Sequence, residues 1–239
     1  KTGFDFARFF TGSEGLLGIV TQATLKLLPL PPFSAALSVG FGSINDAAKG
    51  IDIIFKSGFM PSALEIADEF TLKAATKRTG SDLLSGCCGH LIIELDGQER
   101  SVRGELKDIK KLLAVLKPRF INQAMGKQAV ESLWQLRREF SYSLRDTGFI
   151  KLNQDIVVPR GRLIELLKFA GRLQKKHKMP VACFGHAGDG NIHVNVMVEN
   201  ESSEHAEFDN PVIDELFRWV VKSGGVITGE HGIGLARKP

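Results

Sequence analysis

The sequence predicts an α+β fold: a ferredoxin-like antiparallel sheet with helices on one face. Three observations carry this. Short apolar or alternating stretches suited to strands take turns with longer amphipathic stretches suited to helices. Asp189-Gly190 separates two strand-like stretches so closely that only an antiparallel hairpin can join them. Elsewhere the strand–helix–strand spacing is that of split β-α-β units.

In chain order, a glycine-rich turn (Gly12, Gly15, Gly18) leads into an alternating strand over 19–28, which Pro29-Leu30-Pro31-Pro32 stops. Proline lacks the N–H that a ladder needs, so the cluster marks a domain boundary. Beyond it, 35–41 and 63–67 read as strands, and 43–57 between them as a helix capped by Ser43. A strand over 90–95 precedes a charged helix over 99–116. Residues 127–146 form a long helix carrying Leu133, Trp134 and Leu136. A strand over 150–158, closed by Pro159, leads to a helix over 160–177. The hairpin strands 181–186 and 191–198 follow, and a helix over 204–223 comes last.

The 239 residues, 43% hydrophobic, suffice for one large domain or one and a half smaller ones. The net charge of +4 arises from 31 Lys and Arg interspersed among 27 Asp and Glu, with no block that would grip nucleic acid. A mild positive balance suits a small anionic substrate, although an ordinary solvated surface explains it more simply. Cys87, Cys88 and Cys183 offer neither an even disulfide framework nor a CxxC pair, so a reducing cytoplasm is the expected compartment. No apolar run approaches the roughly 20 residues of a membrane span, and no leader pattern opens the chain. Its start without methionine, and its stop shortly after a glycine-rich loop, read as a piece of a longer protein.

The chemistry concentrates in two segments. If Asp189-Gly190 is a two-residue type I′ loop, Gly188 faces Asn191, Ala187 faces Ile192 and His186 faces His193. Two imidazoles on one strand face, at the ~4.5–5.5 Å Cβ separation of opposed residues, can reach one cation. Asn195 shares the face of His193. A purely structural histidine pair remains the alternative. The second segment, Gly229-Glu230-His231-Gly232, adds a carboxylate and an imidazole on adjacent residues, flanked by glycines that let backbone approach a flat ligand. His186, His193 and Glu230 would make a three-ligand metal site with open positions, leaving His231 as a base. A flexible loop with a solvated Glu and His is the competing reading.

The stretches FGHAGDGNIHVNVM and GGVITGEHGIG resemble the two signature segments of the FAD-linked oxidase C-terminal domain, a family that includes the flavoprotein subunit of glycolate oxidase, D-lactate dehydrogenases and D-2-hydroxyglutarate dehydrogenase. The opening, Arg8 through Thr21, is similar to the last flavin-contacting segment of the family's FAD-binding domain. The resemblance implies that residues 1–32 are the tail of that FAD-binding domain and 33–239 the cap domain that holds substrate. It makes Gly12, Ser13, Glu14, Gly15, Gly18, Ile19 and Val20 FAD contacts, and His186, His193 and Glu230 ligands of a divalent metal, zinc in some members. His231 becomes the base and Asn195 a polar residue near substrate. Arg137, within Trp134-Gln135-Leu136-Arg137 and one turn before Ser141, becomes the grip on the substrate carboxylate, for which a planar guanidinium is suited. An ordinary surface arginine is the other reading, since Lys127, Arg138 and Arg145 share the helix. Asn153 stands where some members carry a lysine; the nearest lysine is Lys151.

The function so implied is FAD-dependent, metal-assisted oxidation of a small anionic 2-hydroxy acid, of glycolate or D-lactate type, to the 2-oxo acid. Histidine suits the base, because its ordinary pKa of ~6.5 leaves it largely neutral at pH 7. An iron–sulfur or electron-transfer subunit is the expected partner, with the protein cytoplasmic, either free or held at the membrane through that partner. A metal-dependent hydrolase using the same ligands, and a cap or docking module inert by itself, are the rival functions.

Overall fold

The computed structural model describes residues 3–80, 82–199 and 210–234. After a short helix α1 (Phe6–Phe10), the chain runs through β1 (Phe33–Phe41), α2 (Ile44–Lys56), β2 (Ala63–Asp68), α3 (Glu69–Thr79), β3 (Gly89–Gly97), α4 (Glu99–Ala114) and β4 (Phe120–Met125). Helix α5 (Lys127–Arg145) leads to β5 (Ile150–Val157), α6 (Leu163–His177), β6 (Val181–His186), β7 (Asn191–Val198) and α7 (Pro211–Lys222).

The seven strands form one sheet in the order β4-β1-β3-β2-β6-β7-β5, every neighbour antiparallel. The order β4-β1-β3-β2 is the ferredoxin-like arrangement expected. The second half repeats its logic: β7 lies between β5 and β6, and beyond β5 a single bridge, Val157 to Val226, occupies the place of a fourth strand. The halves join where Glu65, Ile66 and Ala67 of β2 face His186, Gly185 and Phe184 of β6.

Alternation along β1 explains the layering. Ala35, Leu37, Val39 and Phe41 point into the larger core, with α2 (Ile51, Ile54), α4 (Ile109, Leu113), α6 (Leu166, Leu173) and α7 (Leu216, Val220). Each such leucine or isoleucine, fully buried, stabilises by roughly 1.5–3 kcal/mol. The opposite face is covered too: Leu72 and Ala75 of α3 and Phe140 and Leu144 of α5 pack on Ala67, Ala182, Phe184 and Met197. The expectation of helices on one face is therefore corrected to both faces. Beneath α3 and α5 an apolar surface would otherwise face water, and α3, whose buried contacts are the short side chains of Thr71, Ala74 and Ala75 beside Leu72, carries too faint a pattern to announce itself.

Side-chain caps start four of the described helices: Asp5 accepts from Arg8 N at 3.3 Å, Ser43 from Asp46 N at 3.1 Å, Asp68 from Thr71 N at 3.0 Å, and Asn210 from Val212 N at 3.0 Å. The last helix begins at Pro211; the expected start at 204 lies outside the described residues. The strand expected over 19–28 is not formed: this segment has no ladder partner among the described residues, and Ile19, Val20, Leu25, Leu27 and Leu28 are exposed. Alternation alone makes no strand without a neighbouring edge to satisfy its N–H and C=O groups. No helix among the described residues is long and apolar enough to cross a membrane.

Candidate metal and active site

The hairpin loop is longer than expected. Phe184 faces His193 and His186 faces Asn191, so Ala187 to Gly190 form the loop and the two histidines are diagonal neighbours, not opposed. A type I′ loop needs positive φ at both central residues, whereas only Gly190 (φ 88°) has it here. Tertiary contacts select this form: Gly188 N donates to Leu64 O at 3.0 Å and Val158 N to Gly190 O at 3.0 Å, docking the tip on both flanks. A Cβ at Gly190 would lie 2.1 Å from Val158 O.

The diagonal still brings the rings together, with centroids 5.7 Å apart. His186, His193 and Glu230 each offer one ligand atom, all within 4.8 Å of one another. His186 Nε2 is 3.3 Å from Glu230 Oε1, and Asn191 Nδ2 donates to the same oxygen at 3.0 Å. Two imidazoles and a carboxylate suit zinc or another borderline divalent cation. The buried polar atoms His193 Nδ1, Asp155 Oδ1 and Asn191 Oδ1 around this cluster have no hydrogen-bond partner among the described residues, and burial normally demands one. The donor set and these orphaned atoms fit a bound metal with its ordered shell.

Asp155 of β5 builds the loop that delivers Glu230 and His231. Its Oδ2 accepts from Gly229 N at 3.1 Å, Glu230 N at 2.7 Å and His231 N at 2.9 Å, and its main-chain carbonyl accepts from Gly229 N at 2.9 Å. Burial acts to raise the Asp155 carboxyl, but the N–H donors of Glu230 and His231 outweigh it and hold it below the usual carboxylate range. The glycine flanking Glu230 serves packing: a Cβ at Gly229 would sit 2.8 Å from the Asn191 side chain. His231 is half exposed, its ring stacked 5.9 Å from that of His193 at 26°.

Glu65 of β2 lies behind the histidines, with its side chain 4% exposed. One carboxylate oxygen bonds His186 Nδ1 and the other accepts from Arg137 Nε at 2.5 Å. Burial works to raise the Glu65 carboxyl, and the bond from His186 with the charge of Arg137 overrides it downward. The bond to Glu65 raises His186, whereas burial and the Arg137 charge lower His193. Arg137 thus belongs to the site, its guanidinium 4.9 Å over the Phe184 ring. One turn on, Ser141 Oγ accepts from Lys151 Nζ at 2.8 Å. Asn195 is fully buried, and its amide donates to Ala182 O and His193 O, both at 3.1 Å. It braces the backbone between the hairpin strands.

Gly12, Ser13, Glu14, Gly15, Gly18, Ile19 and Val20 lie in a largely exposed turn and extended stretch outside the sheet. One member reaches the site loop: Glu14 Oε2 accepts from Ile233 N at 2.8 Å, two residues after His231. Sequence reading missed Glu65 and Asp155. A lone carboxylate inside an apolar strand, as in Leu64-Glu65-Ile66 or Asp155-Ile156-Val157, was the available signal, because buried charge requires partners.

The chain is similar to known proteins over nearly its whole length. Residues 30–239 match the family described as FAD linked oxidases, C-terminal domain. The chain is 30% identical to glycolate oxidase subunit GlcD of Bacillus subtilis (strain 168), covering 99% of this chain and 50% of that protein. It is 27% identical to the mitochondrial D-lactate dehydrogenase [cytochrome] of Arabidopsis thaliana, over 98% of this chain and 41% of that one. The chain spans about half the length of such relatives. Among solved structures, an alkyldihydroxyacetonephosphate synthase superposes with a TM-score of 0.65 at 18% identity, covering 95% of this chain and 46% of its own. p-Cresol methylhydroxylase superposes at 0.61 and 15% identity, covering 88% of this chain and 47% of its own. These two likenesses concern the fold alone. On the family match over residues 30–239, the chain belongs to the FAD linked oxidases, as their C-terminal domain.

Proposed function

We propose that this chain is the substrate-holding domain of an FAD-dependent dehydrogenase that oxidises a 2-hydroxy acid, of glycolate or D-lactate type, to the 2-oxo acid. The observation that carries the reading is the placement of half-exposed His231 against the His186–His193–Glu230 cluster, with Arg137 charge close enough to act on both histidines. When bound, FAD supplies the hydride acceptor and a divalent metal, zinc by its donor set, supplies a Lewis acid. His186, His193 and Glu230 would hold that metal. Arg137, with Nε occupied by Glu65, presents its terminal nitrogens to the substrate carboxylate. The hydroxyl proton passes to an imidazole nitrogen of His231 as hydride leaves the adjacent carbon, so the alcohol loses two electrons and becomes a carbonyl. The bond from Glu14 to Ile233 supports the assignment of Gly12 through Val20 to the flavin, since it brings that segment to the base's own loop. Asn195 keeps the hairpin strands in register around the site.

The names of the GlcD relatives, each called a subunit of glycolate oxidase, support a partner subunit; the reading makes that partner the electron acceptor, of iron–sulfur or other electron-transfer type, in the cytoplasm or at the membrane surface. Family membership weighs against a metal-dependent hydrolase. The test is stopped-flow flavin reduction by a hydroxy acid in the intact protein. His231→Ala is expected to slow it by roughly two orders of magnitude or more, the scale of a lost general base. A near-normal rate removes His231 from the role.

A further inference from the structure

Glu65 has no place in the chemistry above, yet it touches both of its binding groups. It stands directly opposite His186 in the β2–β6 ladder and is almost completely buried. We propose that Glu65 is the shared positioning residue of the site: one carboxylate sets which nitrogen His186 offers to the metal and, through its other oxygen, fixes the guanidinium of Arg137. The inference rests on the reading of His186, His193 and Glu230 as a metal centre.

The donor and acceptor inventory forces the assignment. An ionised carboxylate only accepts hydrogen bonds, so the Nδ1 of His186 that meets it must carry the proton. A neutral imidazole protonated at Nδ1 keeps its lone pair on Nε2, and Nε2 is the nitrogen turned toward Glu230, 3.3 Å from its Oε1. This is the carboxylate–histidine–metal relation by which an outer partner orients a ligand. Arg137 Nε is likewise only a donor, 2.5 Å from the second oxygen, and the guanidinium is held over Phe184 at 4.9 Å. Two donors therefore converge on one group, and only a carboxylate has an acceptor oxygen for each. A glutamine would present one acceptor and one donor. It could satisfy Arg137 only by offering N–H to His186, which moves the imidazole proton to Nε2 and blocks the ligand atom.

The substrate grip and the metal ligand are thus tied through one side chain from a strand remote in sequence from both. Whatever tightens one arm pre-orients the other, so metal and hydroxy acid bind with positive coupling.

Selective 15N-histidine labelling of the intact metal-free protein, at alkaline pH where imidazole is neutral, reads the tautomer without any variant. Wild type is expected to show His186 protonated at Nδ1; protonation at Nε2 overturns the proposal. In Glu65→Gln the Nε2 tautomer is expected to appear, zinc affinity to fall roughly 10–100-fold, the range for outer partners of metal ligands, and KM for the hydroxy acid to rise. If wild type binds zinc and Glu65→Gln binds it equally well, the inference fails while the metal centre stands. If wild type takes up no zinc, the metal reading fails and the metal arm of this inference with it. A Glu65→Gln protein that does not fold leaves the wild-type tautomer to decide.

Discussion

The two halves of the sheet share a strand order and place a histidine near the start of the corresponding strand, yet only one becomes a candidate site. In the first half, His90 of β3 is sealed under Phe120 and Phe140, with Nε2 2.8 Å from Ser38 Oγ, and burial drives its pKa down to about 4. In the second half, His193 of β7 keeps a partly exposed ring between His186 and His231. The outer edge makes the difference. There β4 runs a full strand along β1, bringing Phe120 over His90, whereas beyond β5 a single bridge at Val226 gives way to a glycine-rich loop. That loop turns its N–H groups onto Asp155 and sends Glu230 and His231 to the histidines. A completed strand makes a core histidine; a loop anchored on one buried carboxylate leaves a histidine beside other ionisable groups, where the proposed site lies.

The largest test of this contrast is metal content. His193→Ala is expected to leave the intact protein with less than roughly a tenth of the wild-type metal by elemental analysis, because a three-ligand site rarely survives on two. His90→Leu should leave metal content untouched. Unchanged metal in His193→Ala would make both histidines structural and erase the contrast.

Next in size is the anchor. Asp155→Ala strips the acceptor from the backbone N–H groups of Glu230 and His231, leaves Gly229 N only the main-chain carbonyl, and should cost roughly 3–5 kcal/mol in urea unfolding, the range for breaking a buried charged network. Amide exchange at residues 229–231 should speed up selectively. Protection there equal to wild type would show that glycine packing on Asn191, not Asp155, holds the loop.

A buried neutral histidine also leaves a signature in acid. The folded pKa of His90, about 4, lies below its value of 6.5 in the unfolded chain, so the unfolded state binds the extra proton between these limits. Stability is lost as pH falls from 6.5 toward 4, by about 3 kcal/mol for this one group. Relative to His90→Leu, wild type should weaken by that amount across the window, on top of a pH-independent cost in the variant for Ser38 left without its partner. Parallel stability curves would mean that His90 is protonated in the fold.

The smallest expected effect concerns the hairpin loop. Gly190→Ala places a side chain at positive φ and against Val158 O, and should cost about 2 kcal/mol or slightly more. A neutral substitution would show that position 190 is not held at positive φ against Val158 O in the folded protein.

Much of this was legible in the residues. The helices at Ile44–Lys56 and Leu163–His177 carry clear patterns because each buries one face, and the strands at Phe33–Phe41, Gly89–Gly97 and Ile150–Val157 stand out as short stretches, largely withdrawn from solvent, between turn signals. The three candidate ligands were also legible, since imidazoles two strands of a hairpin apart converge in either register. Strand β4 was not: Asn122 and Gln123 are exposed on an edge strand, so its alternation is interrupted. Glu65 was not legible as a partner of His186 and Arg137, because β2 meets β6 only when the two halves of the sheet dock.

By itself, the sequence determined the antiparallel α+β plan, the hairpin, and the residue types able to bind a metal and move a proton, since these follow from local periodicity and side-chain chemistry. Only the tertiary structure decided the hairpin register, the coverage of both sheet faces and the carboxylates behind the histidines. Register is chosen where Gly188 and Gly190 bond to flanking strands, and a buried carboxylate acquires its meaning from donors that the chain brings from far away in sequence.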